Sequence, residues 1–362
     1  MKQGIALLNE NTEASLNAAV QAFDRALAMR LAILQPADHW MAYLTAASWM
    51  NRADALTRLG HPAGIEEAVR SYDEALALMR HMPIEANPLY RRRLAIAWMN
   101  RGISLHQRET PASFSAAAES FERVIEVTRE HPEHEFLLAC SWTNRGNALL
   151  RMEPSRPAEA RASAAFALGL LGRVELQEVT AAGTALKARY IICQAAAEML
   201  AGESATGQAS DLVSVATDML EEGIRLARHW EGRGETGFRP MLADFFRFGV
   251  AVYRAHLPHF LAEFVLEHLD PTRSPSSLAG DPEMGALAAD ALAAVARDFQ
   301  TDGFASVQTP RFSRAMEALR ALQQIEGRLR SASAPQVGGT PDFWQSIANE
   351  SQSTDSKPRP LA

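Results

Sequence analysis

Residues 95 to 102 read AIAWMNRG, and nearly the same phrase stands twice more, as AASWMNRA from Ala46 and as ACSWTNRG from Ala139. Trp49, Trp98 and Trp142 each precede an Asn-Arg pair by two positions. A phrase that returns at a near-constant interval marks a repeat architecture, in which each copy is one supersecondary unit. Two positions after the asparagine stand Gly4, Ala53, Gly102 and Gly146, at steps of 49, 49 and 44 residues, and three further on stand Leu7, Leu56, Leu105 and Leu149. Later come Ala19, Ala68, Ala117 and Ala162, each followed four residues on by an aromatic: Phe23, Tyr72, Phe121 and Phe166.

Small and aromatic residues recurring at spacings of three and four lie on one face of a helix. Each unit is therefore predicted to be two antiparallel helices. The turn between them holds Pro62, Pro111 and Pro157 at the start of the second helix, where a missing N–H costs little. Thr110 caps one of these helices, and Asn87-Pro88 opens the next unit. No segment alternates with period two over a strand's length, so the fold class is all-α.

The order Trp, Asn, Gly, Leu on the first helix and Ala, aromatic on the second resembles the tetratricopeptide repeat, whose unit is roughly 34 residues. Here the turn and both helices are longer. The resemblance implies a right-handed solenoid of helical hairpins, with clear repeats over residues 1–170 and degenerate helix pairs over 171–272. Within that second stretch, 184–200 and 211–230 read as one pair, and Phe245, Arg247, Gly249 and Val252 fall on the Trp, Asn, Gly, Leu spacing. Residues 273–332 are expected to carry capping helices at about 283–299 and 310–331. The polar stretch 333–362 reads as a mostly disordered tail. Within the tail, Phe343, Trp344 and Ile347 follow a capping Thr340 and Pro341, the pattern of a short docking motif or of a turn packed back on the body.

Composition narrows the function. A formal net charge of −7 argues against a nucleic-acid binder, which shows a clustered basic surface. The one dense basic run, Arg91-Arg92-Arg93, is expected on a solvated helix face. The predominance of arginine over lysine, 33 of 36 basic residues, is read as coding bias. Cys140 and Cys193 sit in apolar helical stretches and make no disulfide framework, which fits a reducing compartment. The N-terminal stretch lacks a long apolar core and a cleavage site, and the apolar segment 241–269 carries too many charges for a bilayer. The expectation is a cytoplasmic protein.

Three residue sets were weighed as sites. Asp24, Asp73 and Glu122 follow the aromatic column, while Arg52, Arg101 and Arg145 follow the asparagines one repeat later. The offset predicts inter-repeat pairs Asp24–Arg52, Asp73–Arg101 and Glu122–Arg145, which set register more than net stability because desolvation offsets most of the attraction. Asn51, Asn100 and Asn144 occupy the position that, by the resemblance, lies on the concave face, where an amide can hold a peptide backbone through both its groups. The competing reading is that these amides tie neighbouring helices. The family's clamp for a C-terminal carboxylate adds a lysine before such an asparagine. Met50, Met99 and Thr143 stand there instead, so an internal peptide segment or a helix is the preferred ligand. Finally, His256, His259, Glu263 and Glu267 are spaced like metal ligands on one helical face. A charged outer stripe gives the same pattern, Pro258 interrupts it, and no second ligand helix accompanies it.

No nucleophile, phosphate-loop or zinc-finger spacing occurs. Gly232, Gly234 and Gly237 match G-x-G-x-x-G but follow a helix, where a dinucleotide loop requires a strand. The sequence thus predicts a non-enzymatic scaffold without a cofactor, binding a protein partner. The alternative is a subunit of an assembly, with a short first helix leaving an uncovered edge for a second chain. A metal-binding or enzymatic role for 230–268 ranks third.

Overall fold

The computed structural model describes residues 1–301 apart from Pro36, Arg173, 203–208, 270–277 and 279–280. The expected helix at 310–331 and the motif Phe343, Trp344 and Ile347 lie outside the described residues. Those described contain helices and no strand, and they fall into two compact units, 1–172 and 173 onward. The fold is an all-α helical-repeat solenoid.

The first unit is four helical hairpins. They are α1 (Lys2–Glu10) with α2 (Glu13–Ile33), α3 (His39–Leu59) with α4 (Pro62–Met79), α5 (Pro88–His106) with α6 (Pro111–Thr128), and α7 (Glu135–Arg151) with α8 (Pro157–Leu171). Each helix packs on the next in chain order. Their ends are set locally. Pro62, Pro111 and Pro157 occupy the first helical turns, and the Thr12 and Thr110 hydroxyls accept from the Ser15 and Ser113 amides at 3.1 and 3.2 Å in capping boxes. Asn87 Oδ1 accepts from the Leu89 amide at 3.0 Å. Gly60, at φ 70°, supplies the left-handed residue that ends α3.

In the first and third hairpins the helix separation is set by an aromatic ring laid against a glycine, and in the second Ala53 takes the glycine's position in the cluster around Tyr72. Phe23, Tyr72 and Phe121 are completely buried. A Cβ on Gly4 would lie 2.7 Å from the Phe23 ring, and one on Gly102 would lie 2.6 Å from the Phe121 ring. The second unit repeats the device: α10 (Ala209–Glu231) presents Gly223 to Phe245 of α11 (Arg239–His256), and Gly249 of α11 faces Phe264 of α12 (Leu261–Leu269). The second unit also contains α9 (Val179–Gly202) and α13 (Pro282–Thr301).

Two readings need correction. Phe166 does not join the aromatic column: it is 61% exposed and stacks on Trp142 at 5.1 Å, while Ala160, Ser163, Ala164 and Ala167 make the buried face of α8. The true column residues are Ala160 and Ala164, with Ala162 and Phe166 turned outward. The aromatic drew the alignment two residues out of register, whereas the hydrogen bond from Arg145 to Ser163 fixes the helix. Likewise the basic run is not a solvated face. Arg91 is buried, donating to the Glu85 carbonyl at 2.8 Å and facing His131 Nδ1 at 3.2 Å, and Arg92 and Arg93 are half-buried.

In the second unit Arg189 holds Glu175 through both fork nitrogens at 2.8 and 2.9 Å and reaches Glu222 at 3.2 Å. The Trp230 indole donates to the Glu175 carbonyl at 2.9 Å. His268, buried against Phe264 and Phe246, accepts at Nδ1 from Arg228 at 2.9 Å. Burial, and then the neighbouring guanidinium, push its pKa down to about 3.

Two predictions follow from this packing. Gly102→Ala forces the Phe121 ring to shift and should cost about 1–3 kcal/mol, whereas Gly169→Ala, in open space on α8, should stabilise by roughly 0.5–1 kcal/mol through helix propensity; urea unfolding reads both. For His268 the folded pKa lies below the unfolded value of 6.5, so the unfolded chain takes the proton first. Its contribution is complete above about pH 6.5 and declines as the pH falls toward about 3. Between about pH 6.5 and 5, before ordinary carboxylates titrate, the urea midpoint should fall, and less steeply in His268→Gln.

Candidate functional site

The three copies of the opening phrase lie on α3, α5 and α7, and each builds the same node. Arg52 Nε donates to Asp24 at 2.6 Å, Arg101 Nε to Asp73 at 2.7 Å and Arg145 Nε to Glu122 at 2.8 Å, each carboxylate coming from the preceding hairpin. A second guanidinium nitrogen donates to Ser71, Ser120 and Ser163 of the arginine's own hairpin at 2.8, 2.7 and 2.7 Å. The guanidinium carbon stands over the tryptophan one turn back, Trp49, Trp98 or Trp142, at 6.0, 5.6 and 5.7 Å. Glu67 and Glu159 add third contacts to Arg52 and Arg145 at 3.1 and 3.4 Å. Each arginine is thus a planar fork serving two hairpins at once, a role lysine's point charge does not fill.

The serines were not anticipated, although the sequence carried the signal. A serine precedes the aromatic or its equivalent where an arginine is present, and in the first hairpin, where Gln3 replaces the arginine, Ala22 replaces the serine. The arginine side chains keep 15–20% of their exposure and the carboxylates about half. Solvent therefore screens the attraction, and the node's value is mainly directional.

Along each first helix, positions three and four apart form one face, and their columns align between hairpins. Leu44, Arg93 and Leu137 form one column, followed by Ala47, Ile96 and Cys140, then Asn51, Asn100 and Asn144. Asp54, Ile103 and Asn147 come next, then Arg58, Gln107 and Arg151. Most of these residues are half-buried. The helices carrying them are tied laterally: Thr57 and Ser104 hydroxyls meet at 2.8 Å, Asn147 Nδ2 meets His106 Nε2 at 3.1 Å, and Arg93 donates to the Tyr43 hydroxyl at 2.8 Å.

The three asparagines are not equivalent. Asn100 and Thr57 lie beside the hydroxyl of Tyr72, the aromatic column's one polar member, whose pKa burial holds well above its usual value. Asn144 Nδ2 points at the Met99 sulfur of the preceding hairpin at 3.6 Å. Part of the Asn144 amide's capacity is thus spent on a neighbouring hairpin, while Asn51 and Asn100 share its half-buried position.

Beside the third node lies an open cleft of about 270 Å³ lined by Glu119, Glu122, Arg123, Glu126, Arg145 and Arg156, among others. Its charges are matched internally, Arg123 with Glu126 at 2.8 Å and Arg156 with Glu159 at 3.3 Å. The four candidate metal ligands are divided by the helix break at Pro258: His256 ends α11, His259 lies in the turn, and Glu263 and Glu267 are exposed on α12. Among the described residues no group of three or more His, Cys, Asp or Glu side chains is placed to hold a metal. Gly232 and Gly234 lie in the turn after α10, with Gly237 in the following 3-10 turn. Burial raises the Cys193 thiol well above its ordinary range, which disfavours the nucleophilic thiolate. No described helix is long and apolar enough to cross a membrane.

The fold and these nodes define a helical-repeat protein. No protein-family model matches the chain, and no curated protein matches it. Among solved structures it resembles BtubC (BKLC) from P. vanneervenii at 12% identity, over 92% of this chain and 96% of that one, with a TM-score of 0.43. It also resembles a circular tandem repeat protein with novel repeat topology and enhanced subunit contact surfaces, at 12% identity over 88% and 78% of the two chains and a TM-score of 0.34. A third is a de novo designed helical repeat protein, at 17% identity over 81% and 98% and a TM-score of 0.15. At scores this low none adds to what the helix order and packing establish.

If the node is an inter-hairpin register device, a double-mutant cycle on Asp73→Ala and Arg101→Ala should give a coupling of about 0.5–1 kcal/mol that shrinks in high salt. The Arg101→Ala change alone should cost more than Asp73→Ala, because it also removes the Trp98 and Ser120 contacts.

Proposed function

We propose that the protein is a non-catalytic scaffold of tetratricopeptide type, acting in the cytoplasm, whose first helices present a groove to a partner's internal peptide segment or helix. The single observation that carries this reading is the face shared by α3, α5 and α7. Its five columns run in register across three hairpins, from two that are apolar except for Arg93 (Leu44, Arg93, Leu137 and Ala47, Ile96, Cys140) through the asparagines to a polar one (Arg58, Gln107, Arg151). A ridge of repeated, half-buried side chains with an amide column along its middle suits a chain laid across successive hairpins. Apolar side chains of the partner pack on one flank, and its backbone meets the amides. The tetratricopeptide assignment draws on the Trp, Asn, Gly, Leu order and on the glycine-to-aromatic packing. The absence of a lysine beside the asparagines favours an internal segment over a free C-terminus.

The alternative, a subunit of a larger assembly, draws on Met29, Ile33 and Trp40, which are exposed where α2 ends and α3 begins. A mass that rises with protein concentration supports that reading.

The scaffold reading is tested by affinity capture from native lysate with the wild type, an Asn51→Ala, Asn100→Ala, Asn144→Ala variant, and an Arg70→Ala variant on α4 as control, all matched for helicity and melting. The expected outcome is a partner retained by wild type and control and lost from the asparagine variant. Survival of all captured proteins on that variant would assign the asparagines to packing alone.

A further inference from the structure

The hairpins sort charge by layer. The first helices α3, α5 and α7 carry eight arginines against two carboxylates, while α2, α4, α6 and α8 carry five arginines against ten carboxylates. Three of those eight arginines are spent in the nodes. Of the rest, Arg58 is matched by Asp54 through contacts of 3.0 and 2.9 Å, Arg91 is buried, and Arg92 is half-buried outside the five columns. Arg93 and Arg151 are different. Each is on the groove face, and each is held by an aromatic ring: Arg93 lies over Tyr43 at 5.0 Å and Arg151 over Phe114 at 5.6 Å. Among the described residues no carboxylate pairs with either. In a chain with a net charge of −7, this face keeps two positive charges that no described carboxylate pairs, oriented by rings, one in the first column and one in the fifth with the asparagines between them.

We infer that the groove selects an acidic partner segment, one whose apolar side chains pack near Ile96 and Leu137 while carboxylates on either side meet Arg93 and Arg151. The inference rests on the groove reading above and adds the chemistry of the ligand. A guanidinium already stacked on a ring loses little side-chain freedom when it accepts a carboxylate, so part of the ordering is complete before binding. Its fork also offers paired donors to both carboxylate oxygens. A basic or neutral segment would leave both arginines partly desolvated without compensation, which disfavours it.

The test is selection from a phage-displayed library of random twelve-residue peptides on the full chain, with recovered peptides synthesised and their affinities measured by fluorescence anisotropy. Recovered sequences should be enriched in Asp and Glu alongside Leu and Ile, and their affinity should fall as salt is raised. Arg93→Gln and Arg151→Gln should each weaken them by about three- to tenfold. The Arg93→Glu, Arg151→Glu double variant, checked for unchanged helicity, should shift recovery toward Lys and Arg. Peptides that are neutral or basic, yet lost in the triple asparagine variant, would overturn the acidic preference and leave the groove standing. Recovery of no peptide would overturn both. Displacement of acidic peptides by an equally charged thymidine oligonucleotide at the same concentration would show a general polyanion surface and overturn the peptide-specific reading.

Discussion

The first and third hairpins depend on a ring meeting a bare backbone, and the second buries Tyr72 in the same column with Ala53 at the glycine's position. Phe23 against Gly4 and Phe121 against Gly102 bring paired helices to a separation at which a single methyl group would collide. Close-packed interiors answer such a change by shifting, because no spare volume exists to absorb it. In the third hairpin, at that separation, Arg101 reaches both Ser120 of its own hairpin and Asp73 of the one before, and Arg52 and Arg145 make the same reach in hairpins without a ring on a glycine.

The division of labour between the two interactions is unequal in energy and in information. Burying each aromatic contributes on the order of 2–3 kcal/mol, whereas a half-exposed ion pair contributes about 1 kcal/mol or less. The apolar contact therefore supplies most of the stability. It does not choose among neighbours, however, since a ring fits any sufficiently small residue. Arg52, Arg101 and Arg145 make that choice, because their donors have fixed directions and only one register satisfies the carboxylate and the serine together.

The hairpins, their proline starts, the threonine cap at Thr110 and the three arginine-carboxylate pairings were readable in the sequence, since each repeats with a constant offset and obeys a local geometric rule. Phe166 was misread because periodic alignment favours the conspicuous residue, and the connection between Arg145 and Ser163 is one residue shorter than its counterparts between Arg52 and Ser71 or Arg101 and Ser120. Arg91 was misread because a run of like charge ordinarily lies in solvent. Here the turn carrying Glu85 and the one carrying His131 close over it, and no pattern within the run records that. The unequal state of the asparagines was invisible for the same reason: Tyr72 differs from Phe23 and Phe121 by one oxygen, and that oxygen lies beside Asn100 and Thr57.

The repeated node also says something about how such an array can change length. Each arginine takes its carboxylate from behind and its serine from ahead, and every junction uses the same pair of contacts. Removing residues 53–101, one full period, would leave Arg52 between Asp24 and Ser120, with Glu122 still facing Arg145. Adding a copy would likewise create one more complete junction. The chain is built so that it can be spliced at the node by whole periods without orphaning a charge, and the shorter third step, whose node is complete, shows that the links between hairpins can vary in length.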